Sequence, residues 1–143
     1  MTFSFVIRWG LAIASVCSLA ACGARNDGAI KAGPAIPNLK LSGKWYSDEF
    51  GDMTVVHSGN TVSGTYEDRR GPDHNGRFRG QIKGDILRLN WIKPGNMDAA
   101  IMPRRGKAWL RIGRQGRNMI GRWGFDESDT DGGAWTAEKS AYD

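Results

Sequence analysis

The chain reads as all-β: a small antiparallel up-and-down meander whose eight strands can close into a barrel. Three observations predict this. From Leu41 onward, apolar and polar residues alternate with period two, not 3.6. Glycine-bearing turn signals separate the alternating runs at short spacing, which favours antiparallel neighbours. Twenty glycines and six tryptophans in 143 residues supply the small and large side chains that a narrow barrel interior needs. This length holds one domain. A hydrophobic content of 40% argues against a wholly disordered chain or a multi-span helical membrane protein.

The first element is an address. Arg8 supplies a positive start, Trp9 to Leu19 is an apolar stretch too short to span a bilayer, and Leu19-Ala20-Ala21-Cys22-Gly23 follows. This resembles the bacterial lipoprotein signal, in which small residues precede a cysteine that receives lipid. The resemblance implies cleavage after residue 21, loss of Cys17 with the signal, and lipid on Cys22, which leaves no thiol for a disulfide. Lipid at Cys22 implies a membrane partner, and Gly23, which is not the inner-membrane retention aspartate, implies the outer membrane. Cleavage removes Arg8 and lowers the formal charge of +5 by one. Residues 22–40 then read as lipidated cysteine and flexible tether, with Gly28, Gly33, Pro34 and Pro37 and no sustained hydrophobic period.

Residues 41–143 are the barrel domain. The first strand alternates Leu41, Gly43 and Trp45 with Ser42, Lys44 and Tyr46. Met53 and Val55 mark the second, and Val62, Gly64 and Tyr66 the third. The fourth carries Gly76, Phe78, Gly80 and Ile82, the fifth Leu87, Leu89 and Trp91. Ala108, Leu110 and Ile112 follow, then Gly121, Trp123 and Phe125, then Trp135 and Ala137. Each strand has one apolar and one polar face, and closure would remove the exposed edges. Gly-x-aromatic recurs at Gly43, Gly64, Gly76 and Gly121. Residues i and i+2 share a face, so each glycine is expected to leave room for the ring beside it. The long links are Asp68 to Asn75 and Pro94 to Gly106, where function tends to concentrate; Ala99 to Met102 could extend the next strand or form a helical turn.

Two binding surfaces follow. Trp45, Tyr66, Trp91, Trp123 and Trp135 face inward and either pack the core or wall a cavity open at one mouth. Arg77, Arg79, Arg88, Lys107, Trp109, Arg111 and Arg122 fall on the polar face of consecutive strands, with Lys83 among them. Arg104, Arg105, Arg114 and Arg117 lie at the loop ends. Arginine binds carboxylates and phosphates through paired hydrogen bonds. In a Gram-negative envelope, the anions are lipid headgroups, lipopolysaccharide phosphates and acidic proteins. An exported domain makes nucleic acid a poor partner.

The barrel also resembles the avidin and streptavidin family. Gly43-Lys44-Trp45-Tyr46 and Gly64-Thr65-Tyr66-Glu67 are similar to that family's first and third strands. Trp123 and Trp135 are similarly spaced, and Asp143 lies eight residues beyond Trp135. The resemblance implies a ligand in the barrel mouth. In that family an asparagine, a serine and a tyrosine surround the ureido oxygen of biotin; the matching positions here hold Ser47, approximately Asp52, and Tyr66. Asp68 stands where a serine should follow the Tyr-Glu pair. An ionised aspartate has no hydrogen to donate, so biotin itself is not expected.

Catalytic signatures are thin, and no enzyme or cofactor is expected. His57 and His74 lie in no metal spacing or nucleophile motif. Asp48-Glu49 and Glu67-Asp68 are adjacent, so their side chains point to opposite faces. The run Asp126 to Gly132 places Glu127, Asp129, Asp131 and Glu138 at calcium-loop offsets, but without a leading aspartate or flanking helices. A hairpin turn also favours Asp-x-Asp-Gly. The leading expectation is a non-catalytic module docking an anionic envelope component or protein partner through the basic face; the alternative is small-molecule binding in the cavity.

Overall fold

The computed structural model describes residues 30–142; Cys22, the signal and Asp143 lie outside the described residues. The barrel belongs to the compact unit Lys31–Asp143.

Eight strands run in order: β1 Gly43–Ser47, β2 Gly51–Ser58, β3 Thr61–Glu67, β4 Gly76–Lys83, β5 Ile86–Lys93, β6 Arg104–Ile112, β7 Asn118–Phe125 and β8 Gly133–Lys139. Each pairs antiparallel with its neighbour, and β8 returns to β1, closing the barrel. The alternation predicts which side chains enter. Trp45, Met53, Val55, Val62, Tyr66, Phe78, Leu87, Leu89, Trp91, Leu110, Met119 and Trp135 are all buried in one core. Most strand arginines and lysines occupy outward positions, the reverse of the lipid-facing apolar band that a membrane-spanning barrel needs.

Strand β6 begins at Arg104, three residues before the expected Lys107. The β5–β6 ladder continues through Ile92↔Arg105 and Lys93↔Arg104. The intervening loop is neither strand extension nor helical turn. Asn96 and Ile101 exchange backbone hydrogen bonds of 2.9 and 2.8 Å, and Ala100 takes a left-handed φ of 55° to close the loop.

The glycines make room across the ladder, not along their own strand. Gly64 is register partner of Phe78, and a Cβ there would stand 2.5 Å from the Phe78 ring. Gly106 faces Trp91, where a Cβ would stand 2.7 Å from the indole. Gly76 faces Tyr66, whose hydroxyl occupies the space a side chain would need. Register, not the i+2 spacing, sets these pairs.

The two ends of the barrel differ. The β2–β3, β4–β5 and β6–β7 turns share one end, and there residues 31–40, expected to stand free as a tether, lie with Leu41 against the barrel. The Gly33 amide donates to Asp85 Oδ1 at 2.6 Å, and Arg111 donates to the Lys31 carbonyl at 3.0 Å. Ile36 and Leu39 pack on the core, and Leu41 is fully buried. The Trp45 indole N–H donates to the Leu41 carbonyl at 2.7 Å. His57 ties the same end together. Its Nδ1 accepts from the Leu41 amide at 3.3 Å and its Nε2 lies 2.8 Å from the Gly59 carbonyl.

Candidate functional site: the open mouth of the barrel

The β1–β2, β3–β4, β5–β6 and β7–β8 connections share the other end, which is open. A cavity of about 520 Å³ lies there. Phe50, Trp91, Trp123 and Phe125 form its aromatic wall, and Ala100, Ile101 and Met102 of the β5–β6 loop close one side. Its charged and polar lining is Glu49, Arg70, Asp73, His74, Lys93 and Arg104.

The aromatic wall is rigid. Trp123 meets Phe50, Trp91 and Phe125 edge-on at 5.5, 5.6 and 5.0 Å between ring centres, the geometry ring quadrupoles favour. Trp91 Nε1 donates to the Gly124 carbonyl at 3.1 Å. Phe50, from the β1–β2 turn, lies 4.2 Å from Trp135 and 5.2 Å from Tyr66. Near it, the Tyr66 hydroxyl and Trp135 Nε1 are buried with no hydrogen-bond partner among the described residues. Burial, reinforced by the Asp68 charge, pushes the Tyr66 phenol pKa well above its ordinary value.

Asp68 organises the charged side. Its Oδ2 lies 2.8 Å from Lys93 Nζ and 2.7 Å from Arg70 Nη2. The hydrogen bond from Arg70 holds its carboxyl well below the usual range; burial opposes this, and Lys93 adds to the lowering. The Lys93 ammonium lies 5.8 and 5.5 Å from the ring centres of Phe50 and Tyr66, within cation–π reach. Glu49 Oε2 accepts from the Ser47 hydroxyl and the Thr136 amide at 3.2 and 3.1 Å. Asp73 accepts from Asn96 at 2.8 Å.

Of the five aromatic residues proposed as cavity walls, only Trp91 and Trp123 line the cavity. Trp45, Tyr66 and Trp135 are buried in the core and do not border the cavity; Trp91 borders it although it too is only 1% exposed. Asp68 turns to Lys93, not to a ligand position. Glu49, Phe50, Arg70, His74, Lys93, Met102, Arg104 and Phe125 were not singled out as cavity residues. The signal for them was topological: in a meander, alternate connections share one end, so the two long links had to meet.

The basic residues do face outward in adjacent rows. Arg88, Trp109 and Arg122 are successive register partners across β5, β6 and β7, and Asn90 separates Arg79 from Lys107. The patch is largely compensated, because the β7–β8 loop folds back over it. Asp129 pairs with Arg88 at 3.4 Å, Glu127 with Lys107, and Asp126 with Arg105 at 3.6 Å. Arg111 pairs with Asp85, and Arg122 donates to the Thr130 carbonyl at 2.9 Å. Trp109 is half-buried. Burial opposes ionisation of Asp85, but the Gly33 amide and Arg111 lower its pKa overall. Within the set, Arg122 is held by the Thr130 carbonyl alone, and Arg77 and Arg79 have neither a carboxylate nor a carbonyl partner among the described residues. They border a shallow depression with Thr54, Val56, Ser63, Thr65, Asn90 and Ile92.

The calcium candidates are not gathered. Glu127 and Asp129 are spent on Lys107 and Arg88, and Asp131 accepts from the Phe125 amide at 2.9 Å. Glu138 faces outward on β8. No cluster of three metal-ligating side chains occurs among the described residues. Those carboxylates secure a loop to a basic wall. Arg104, expected to extend the outer patch, instead occupies an inward position, because β6 starts early. No protein-family model, curated protein or solved structure matches this chain.

Proposed function

We propose that this chain is a lipid-anchored envelope protein whose barrel binds a small molecule in its open mouth, without catalysing a reaction. The asymmetry of the two ends carries the ligand reading. One end is covered by residues 31–41, whereas the other keeps a cavity of about 520 Å³ against a rigid aromatic wall. Apolar concavity with a few convergent polar groups is the usual character of a ligand site. The mouth's carboxylates serve structure: Glu49 holds Thr136, Asp68 holds Lys93, and Asp73 holds Asn96. The Ala-Ala-Cys box and Gly23 support anchoring through Cys22 in the outer membrane.

Native mass spectrometry of the full chain, purified from its own envelope, tests this. A reproducible small-molecule adduct is expected in the wild type and absent from Trp123→Ala. A clean apo mass from several preparations would remove the reading.

One observation favours a second reading. Arg77 and Arg79 stay uncompensated beside Val56 and Ile92, which are 57% and 40% exposed. This edge of the basic face suits docking to an anionic lipid, lipopolysaccharide or envelope protein. Binding to anionic vesicles that weakens with salt and is lost in Arg77→Glu/Arg79→Glu would favour it; unchanged binding in that variant would exclude this edge.

A further inference from the structure

We infer that the ligand of the mouth is an organic anion, a carboxylate or sulfonate on a flat apolar body, with its charged group held between Lys93 and Arg104. This rests on the mouth being a ligand site. Lys93 and Arg104 are register partners on β5 and β6, and both line the cavity. They are the outermost inward positions of their strands. Like charges directly opposed on one face of a ladder repel each other, so the pair needs a counterion. Asp68 meets only half of that need. It approaches Lys93 at 2.8 Å and is shared with Arg70 at 2.7 Å. No carboxylate lies within ion-pair distance of Arg104 among the described residues; its guanidinium stacks over Phe125 at 5.8 Å.

Glu49 and Asp73 add negative charge to the mouth, but neither lies within ion-pair distance of Lys93 or Arg104, and their bonds go elsewhere. Glu49 accepts from Ser47 and Thr136, and Asp73 accepts from Asn96. The charge left without an ion-pair partner at the β5–β6 edge of the cavity is therefore the Arg104 guanidinium, whose N–H fork matches a carboxylate.

The next inward pair below Lys93 and Arg104 is Trp91 and Gly106. A Cβ at Gly106 would stand 2.7 Å from the Trp91 ring, so the glycine lets the indole lie across the barrel as a floor. Trp123 and Phe125 meet it edge-on at 5.6 and 5.9 Å between ring centres. An anion seated between the two cations thus has edge-on aromatic rings lining the space beside it, which suit a planar body better than a flexible chain.

The test uses the full chain and two isosteric probes, 2-naphthoate and neutral 2-naphthamide, followed by calorimetry and tryptophan emission. The acid is expected to bind at least about tenfold more tightly than the amide. Arg104→Gln is expected to erase that advantage, weakening the acid at least about tenfold more than the amide. Arg104→Lys should restore part of it. Failure of the acid to bind, equal binding of acid and amide, or an acid advantage that survives Arg104→Gln overturns the inference. The ligand reading itself fails separately, on the absence of any envelope-derived adduct.

Discussion

Asp68 serves two cations with one carboxylate, and exposure decides which partnership matters. Its side chain is 7% exposed and that of Lys93 14%, whereas Arg70 is 62% exposed. Solvent screens the Arg70 contact, so the Lys93 pair dominates the energetics. Asp68→Asn leaves a poorly hydrated ammonium and should cost about 1–3 kcal/mol at pH 7, between surface and fully buried pairs. The folded pKa of Asp68 lies below its unfolded value, so its contribution is fully present above about pH 4 and fades as pH falls lower. Denaturation of both proteins at pH 7 and pH 2.5 should therefore show their difference shrinking in acid. A constant difference would place the effect elsewhere. Gly106 is the steric counterpart: Gly106→Ala forces the Trp91 floor or the Gly124 carbonyl to move. It should cost about 1–3 kcal/mol in the same assay and weaken 2-naphthoate binding.

At the scale of elements, residues 31–41 are the clearest revision of the sequence reading. Gly33, Pro34 and Pro37 suggested a tether up to residue 40, but Ile36 and Leu39 pack on the core. Both are half-buried, so Ile36→Ala/Leu39→Ala should cost about 2–3 kcal/mol, less than two fully buried truncations. Melting would show the loss, and 2-naphthoate binding at the opposite end should remain. The seam between β1 and β8 is the other weak element. Only Trp45↔Lys139 and Tyr46↔Glu138 are paired there, whereas the β5–β6 ladder runs through eight pairs. Hydrogen exchange should find the β8 amides facing β1 opening before those of β5 and β6. The reverse order would mean that the Glu49 bond to Thr136 holds the seam more firmly than its ladder.

Over the whole molecule, the formal charge of +5 misrepresents the surface that partners meet. The loop after β7 returns carboxylates to Arg88, Arg105 and Lys107. These contacts are exposed, so they should yield to salt as the Debye length falls to about 3 Å near 1 M. Faster amide exchange in residues 126–131 at high salt, with the barrel strands unchanged, is the expected result. Uniform protection would show that the Asp131 and Arg122 backbone bonds suffice to hold the loop. The same compensation narrows any docking surface to Arg77 and Arg79, and it moves weight to the mouth.

Alternation by itself determined the eight strands, their inward and outward faces and their order around the barrel. Period two is a property of the extended chain, legible wherever one face is wet. Residue pairing lay outside its reach. Lys93 and Arg104 are eleven residues apart, and only the register of β5 against β6 brings them together on one face. Trp91 and Trp123 line a cavity while Trp45 and Trp135 do not, although all four alternate alike, because Leu41 covers Trp45 at one end and Phe50 of the β1–β2 turn packs on Trp135 at the other. Whether a carboxylate binds metal, holds a loop or answers a cation depended on which wall its loop met. Those outcomes were tertiary, since charge and shape act through space and the sequence orders residues only along the chain.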